Sequence, residues 1–179
     1  TTGVGNVGLG YYALCSNTTG NSNVSVGNLS MRLNQGGRFN IAMGCGALYS
    51  NVSGDNNTAL GHLSLFYNTA SNNTAVGLCA LRSNTTGEYN AALGSFALRN
   101  NSTGIQNVAI GGQALASNTA GNYNTAIGTS AMNVNTVGSN NVAVGRQALF
   151  CSTADNNTAV GHFALRNNTT GTYNTAVGR

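Results

Sequence analysis

The sequence predicts an all-β chain, a parallel β-roll (β-solenoid) of about ten 17-residue coils. The first observation is a five-residue phrase: Asn, then Thr, Val, Ile or Ala, then a small residue, an apolar residue and Gly. The second is its spacing. The phrase starts at Asn6, Asn23, Asn40, Asn57, Asn73, Asn90, Asn107, Asn124, Asn141, Asn157 and Asn174, always 17 residues on except for two steps of 16, Asn57 to Asn73 and Asn141 to Asn157. The third is the alternation inside the phrase, rich in β-branched residues, which is the pattern of a strand. A fixed short period marks one structural unit repeated and stacked on its neighbours. Residues 1–179 therefore read as a single repeat array, a rod with no need of a globular core.

Each element follows when a repeat is numbered from its Asn. Positions two and four carry the larger residues, for example Val24 and Val26, Ile41 and Met43, Val108 and Ile110. Gly at position five ends the strand. Position nine is Leu or Met in every repeat, from Leu14 through Leu81 to Leu165, preceded always by Ala or Ser, and this segment reads as a second short strand. A helix is excluded because five residues between Gly and the next Asn-Thr are too few to complete a stable one. A turn then follows, typically Asn-Thr-Thr-Gly as in 17–20, 84–87 and 168–171, since Asn and Gly tolerate a left-handed backbone. The two short repeats lack this Gly and read Asn68-Thr69-Ala70-Ser71 and Ser152-Thr153-Ala154-Asp155, a deletion placed at a loop. Stacking repeats position upon position makes ladders of like residues, and Asn ladders hydrogen-bond along the axis as in cross-β structures.

Alternation also assigns faces. Positions two, four and nine are expected to fill the core, which places position three outward. Position three is Ala in nine of eleven repeats, with Gly8 and Ser25 the exceptions, and carries no charge anywhere. An outward Ala stripe, including Ala92, reads as a seam between chains. The alternative is that Ala merely fits a tight roll.

Composition narrows function. The chain has no Pro, Lys or Trp, and 6% of its residues are charged. Seven Arg against Asp55, Glu88 and Asp155 give a net charge of +4, but the Arg are dispersed singly, unlike the clustered cations that track phosphates. No nucleic-acid partner, membrane span or signal peptide is expected. Both ends fall inside the repeat, so the chain reads as a segment of a longer fibre.

The Asn-Thr-Ala-Val-Gly phrase, with Ala-Leu and Asn-Thr-Thr-Gly between copies, resembles repeats of phage tail fibre and bacterial surface fibre proteins. It is also similar to the head repeats of YadA-type trimeric autotransporter adhesins. The resemblance spans essentially the whole chain. It implies a left-handed, homotrimeric parallel β-roll, extracellular, cell-surface or virion-borne, used for reach and attachment. The expected function is the structural shaft of such a fibre, with a receptor or cell-surface glycan met elsewhere along it. The alternative is a ligand-binding solenoid, a glycan-binding adhesin or an ice-binding surface; the position-two Thr row that ice would need is interrupted by Val, Ile and Ala.

No enzyme, cofactor or metal is expected. His62 and His162 share position six but stand six coils apart, about 29 Å at the strand spacing. Asp55 and Asp155 are equally distant, too far for paired-carboxylate chemistry. Cys15, Cys45, Cys79 and Cys151 occupy four different positions, the nearest pair two coils and about 10 Å apart, beyond the roughly 7 Å a disulfide spans. Position ten carries a ridge of Tyr49, Phe66, Arg82, Arg99, Phe150 and Arg166, a candidate sugar-stacking surface. About a dozen Asn-x-Ser/Thr sequons, among them Asn17, Asn23, Asn28, Asn51, Asn84 and Asn168, follow from the repeat itself.

Overall fold

A computed structural model describes residues 2–179 as a parallel β-solenoid of about ten turns, with no helix among them. Each phrase forms one three-residue strand, from β1 (Val7–Leu9) through β4 (Thr58–Leu60) and β5 (Thr74–Val76) to β11 (Thr175–Val177). The eleven strands form one parallel sheet in chain order. Register holds position for position, and the short repeat leaves it intact: Thr58, Ala59 and Leu60 of β4 pair with Thr74, Ala75 and Val76 of β5.

The facing of the strand is the reverse of the expectation. Position three points inward: Ala42, Ala59, Ala75, Ala109, Ala126, Ala143 and Ala159 are completely buried, and Ala92 nearly so. Positions two and four point outward, with Ile41, Met43, Leu93 and Ile110 exposed. The Ala stripe is therefore core and not a seam between chains. Opposite it lie position eight (Ala47, Ala80, Ala97) and position nine (Leu48, Leu81, Leu98), all fully buried as expected for nine. Small residues at three and eight let the two walls of a narrow roll approach, and one Leu or Met per coil fills what remains. The two walls touch: Ser25 Oγ donates to the Ser30 carbonyl at 2.9 Å, and Ser30 Oγ to the Ala42 carbonyl at 3.2 Å.

The segment expected as a second strand is instead a run of turns. Its backbone is left-handed at positions seven and nine in every coil, for example Phe96 at φ 60° and Leu98 at φ 49°. The reversals aim successive amides along the axis, so Phe96 N–H donates to the Leu78 carbonyl of the preceding coil and Leu98 N–H to the Ala114 carbonyl of the next. This wall thus has the inter-coil bonding of a sheet without extended backbone.

Two Asn ladders hold the corners. The phrase Asn is buried; its Oδ1 accepts the backbone N–H of the next phrase Asn, as from Asn40 to Asn23 at 3.0 Å and from Asn124 to Asn107 at 3.0 Å. Its Nδ2 donates to the turn carbonyl three residues before the next phrase, Asn107 to Gly121 at 2.8 Å. The turn Asn donates to the same carbonyl, Asn118 to Gly121 at 2.9 Å, and to the turn Asn one coil earlier, Asn118 to Asn101 at 2.7 Å. In the short coils Ala70 and Ala154 supply that carbonyl, as to Asn57 and Asn141 at 2.8 Å each. The turn ladder breaks there: Asn51 Oδ1 and Asn135 Oδ1, each just before a short coil, are buried without a hydrogen-bond partner. In the first short coil Asn68 Nδ2 donates to the Ala70 carbonyl, and in the second Ser152 stands where the other coils have Asn.

Candidate functional site

The reversed strand facing gives the molecule two unlike sides. One is the outer face of the sheet, two rows of Thr, Val, Ile, Leu, Met and Ala at positions two and four with no charged residue in eleven coils. The other is the turn wall, on which positions seven, ten and eleven project.

The position-ten ridge expected from sequence does assemble on that wall. Arg32 lies between Tyr12 and Tyr49, its Cζ 5.4 and 5.8 Å from their ring centres, and its Nη1 donates to the Tyr49 hydroxyl at 2.7 Å. That bond raises the Arg32 pKa above its ordinary value, with no effect on a group already charged at neutral pH. Tyr49 stacks on Phe66 with ring centres 4.8 Å apart, and Arg82 covers Phe66 and Tyr67. Arg99 lies over Phe96, and Arg166 over both Phe150 and Phe163. Reading position ten alone missed Tyr12, Phe96 and Phe163, which stand at position seven; for Phe96 and Phe163 an aromatic three places before an Arg was the available signal. The acids lie elsewhere: Asp55, Glu88 and Asp155 all stand two residues before a phrase. There Asp55 Oδ1 accepts the Arg38 N–H and Asp155 Oδ1 the Ser139 N–H, each at 2.7 Å, the same role Asn21 and Asn122 perform. Both cap backbone amides of the preceding coil.

In two consecutive coils the ridge dips, because position ten is Ala116 and then Asn133. The dip is a cleft of about 250 Å³ walled at one end by Phe96 and Arg99, with Asn100, Gln113 and Ser117 around it. Arg99 Nε donates to Asn100 Oδ1 at 3.2 Å, and Asn133 Nδ2 to the Gln113 carbonyl at 2.9 Å.

The remaining candidates are dispersed. His62 and His162 are exposed on distant coils; His162 stacks on Phe163 at 3.8 Å and lies 3.3 Å from Arg146 Nη1. The four Cys are free, with Cys79 buried. Among the described residues no group of three His, Cys, Asp or Glu could hold a metal ion, and no helix is long and apolar enough to cross a membrane. Of the sequon residues, Asn23, Asn51 and Asn84 are buried in the ladders, Asn17 and Asn168 are half-buried, and Asn28 is exposed.

Compared with known proteins, the chain matches no family model, no curated protein and no solved structure.

Proposed function

We propose that the chain is the structural shaft of an extracellular, cell-surface or virion fibre, formed by three copies whose apolar sheet faces meet along a common axis. The observation that carries this reading is the uncharged outer face of the eleven-stranded sheet. Leu93 is 49% exposed and Met43 45%, beside Ile41 and Ile110, in two continuous rows that a lone chain would leave in water. The seam proposed is therefore the position-two and position-four rows in place of the Ala stripe. Threefold closure and a left-handed coil follow the resemblance to the adhesin heads. Stiffness comes from the fold itself, because each coil is bonded to both neighbours along strand, turn wall and Asn ladders. Such a rod serves reach, and receptor binding by the parent fibre is proposed to lie elsewhere along it.

Light scattering tests the reading. The expected mass is three times 18.1 kDa. Leu93→Arg, an outward substitution, should lower the mass while leaving the coil's circular dichroism unchanged. A wild-type monomer would remove the trimer and leave the sheet face to another occupant, an ice lattice included; thermal hysteresis measured on that monomer separates the two.

A further inference from the structure

We propose that the cleft beside Phe96 and Arg99 is a binding site for one acidic sugar, a pyranose ring carrying a carboxylate. It lies on the turn wall, away from the sheet face, and stands whether or not the chain trimerises.

The chemistry of the cleft selects that ligand. Arg99 is exposed, and among the described residues its side chain makes one hydrogen bond, donated from Nε to Asn100. That bond and the Phe96 ring, 5.7 Å from Cζ, hold the planar guanidinium at the wall of the cleft with its terminal N–H groups unengaged by the described residues. A guanidinium held this way suits a carboxylate, which it can meet with two parallel hydrogen bonds. Around it are groups that read hydroxyls. Asn100 has Nδ2 to donate once its Oδ1 is engaged, Gln113 offers a whole amide, and Asn133, anchored through Nδ2, keeps Oδ1 to accept. Ser117 adds a hydroxyl, and Ala116 leaves the room. The other coils have no equivalent, since nowhere else do two small position-ten residues follow one another.

A nucleic acid suits the cleft less. Phosphate tracking needs cations in series, whereas the coils beyond Arg99 present Ala116 and Asn133. Arg99 lies over Phe96, so a base would have to compete with the guanidinium for that face of the ring.

The test is a titration of the isotopically labelled chain with galacturonic, glucuronic and N-acetylneuraminic acids, with galactose, glucose and a thymidine oligonucleotide alongside. At least one acidic sugar should shift the side-chain amide signals of Asn100, Gln113 and Asn133, and bind about tenfold or more tighter than the neutral sugars. Arg99→Gln should weaken that binding by a similar factor, and Ala116→Trp should abolish it by filling the cleft. Arg82→Gln, one coil away, should leave it unchanged, and all three variants should melt like the parent. The proposal is overturned if no acidic sugar shifts these amides, if Arg99→Gln binds as the parent does, or if the oligonucleotide is the tighter ligand at this site.

Discussion

Gly94 and Gly112 are 18 residues apart and invite the same substitution with opposite results. Gly94 is the position-five glycine of its coil, at φ +134°, a region open essentially to glycine alone. A Cβ placed there would stand 2.7 Å from both the carbonyl carbon and the oxygen of Gly111 in the next coil. Ordinary carbon contacts are about 3.5–4.0 Å, so the overlap is close to an ångström and falls on backbone. That backbone cannot yield freely, because Gly111 N–H is bonded to the Leu93 carbonyl at 2.8 Å. The backbone conformation alone costs about 1–3 kcal/mol. With the displacement of the neighbouring coil, Gly94→Ala should destabilise the chain by roughly 3 kcal/mol or more. Gly112, at position six, has no positive φ and no atom within 4 Å of the same hypothetical Cβ. There Ala should be neutral or stabilise by about 0.4–1 kcal/mol by restricting the unfolded chain. Urea unfolding followed by far-ultraviolet circular dichroism reads both. Equal midpoints for the two variants would refute the coil-to-coil glycine contact.

Other substitutions probe the core and corners. Leu81→Asp places a carboxylate at a fully buried site and should cost more than about 4 kcal/mol, melting neighbouring coils with it; an unchanged melt would remove position nine from the core. Asn107→Ala leaves the Asn124 N–H without its acceptor and should cost about 1–3 kcal/mol, against roughly 0.5 or less for exposed Asn167→Ala. Hydrogen exchange should be faster in the short turns than in the long ones. Thr85, Thr86 and Gly87 N–H all donate to Ser102, whereas in the short turns only Thr69 and Thr153 bond across to the next coil; equal protection would contradict this.

Period, register and the burial of position nine were legible because each repeats without regard to which way the strand faces. Facing itself was misread, since a period of two assigns residues to two sides without saying which is inside. Size suggested that Val and Ile at positions two and four belonged in the core. Invariance pointed the other way: Asn at one, Ala at three and Gly at five share one side, and their ladder and contact partners hold them there. Positions two and four vary from Ala91 to Ile41 and from Val26 to Met43 because they face outward. The cleft was invisible for a different reason. It is made by an interruption of the ridge at Ala116 and Asn133, and attention to the ridge passes over the residues that are small.

The turn wall, too, had a signature in the choice among apolar residues. Left-handed backbone is hardest for side chains branched at Cβ. Besides the phrase Gly, three positions in every coil are left-handed: seven, nine and the residue before each phrase. None of them carries Val, Ile or Thr in any coil, although these residues crowd the strand. Position nine is always Leu or Met, which fill the core as Ile or Val would but branch further from the backbone, or not at all. A buried strand would have accepted Ile at that position at least once in ten coils. Its exclusion marks backbone that is left-handed, and with it a wall bonded along the axis by turns in place of a second sheet.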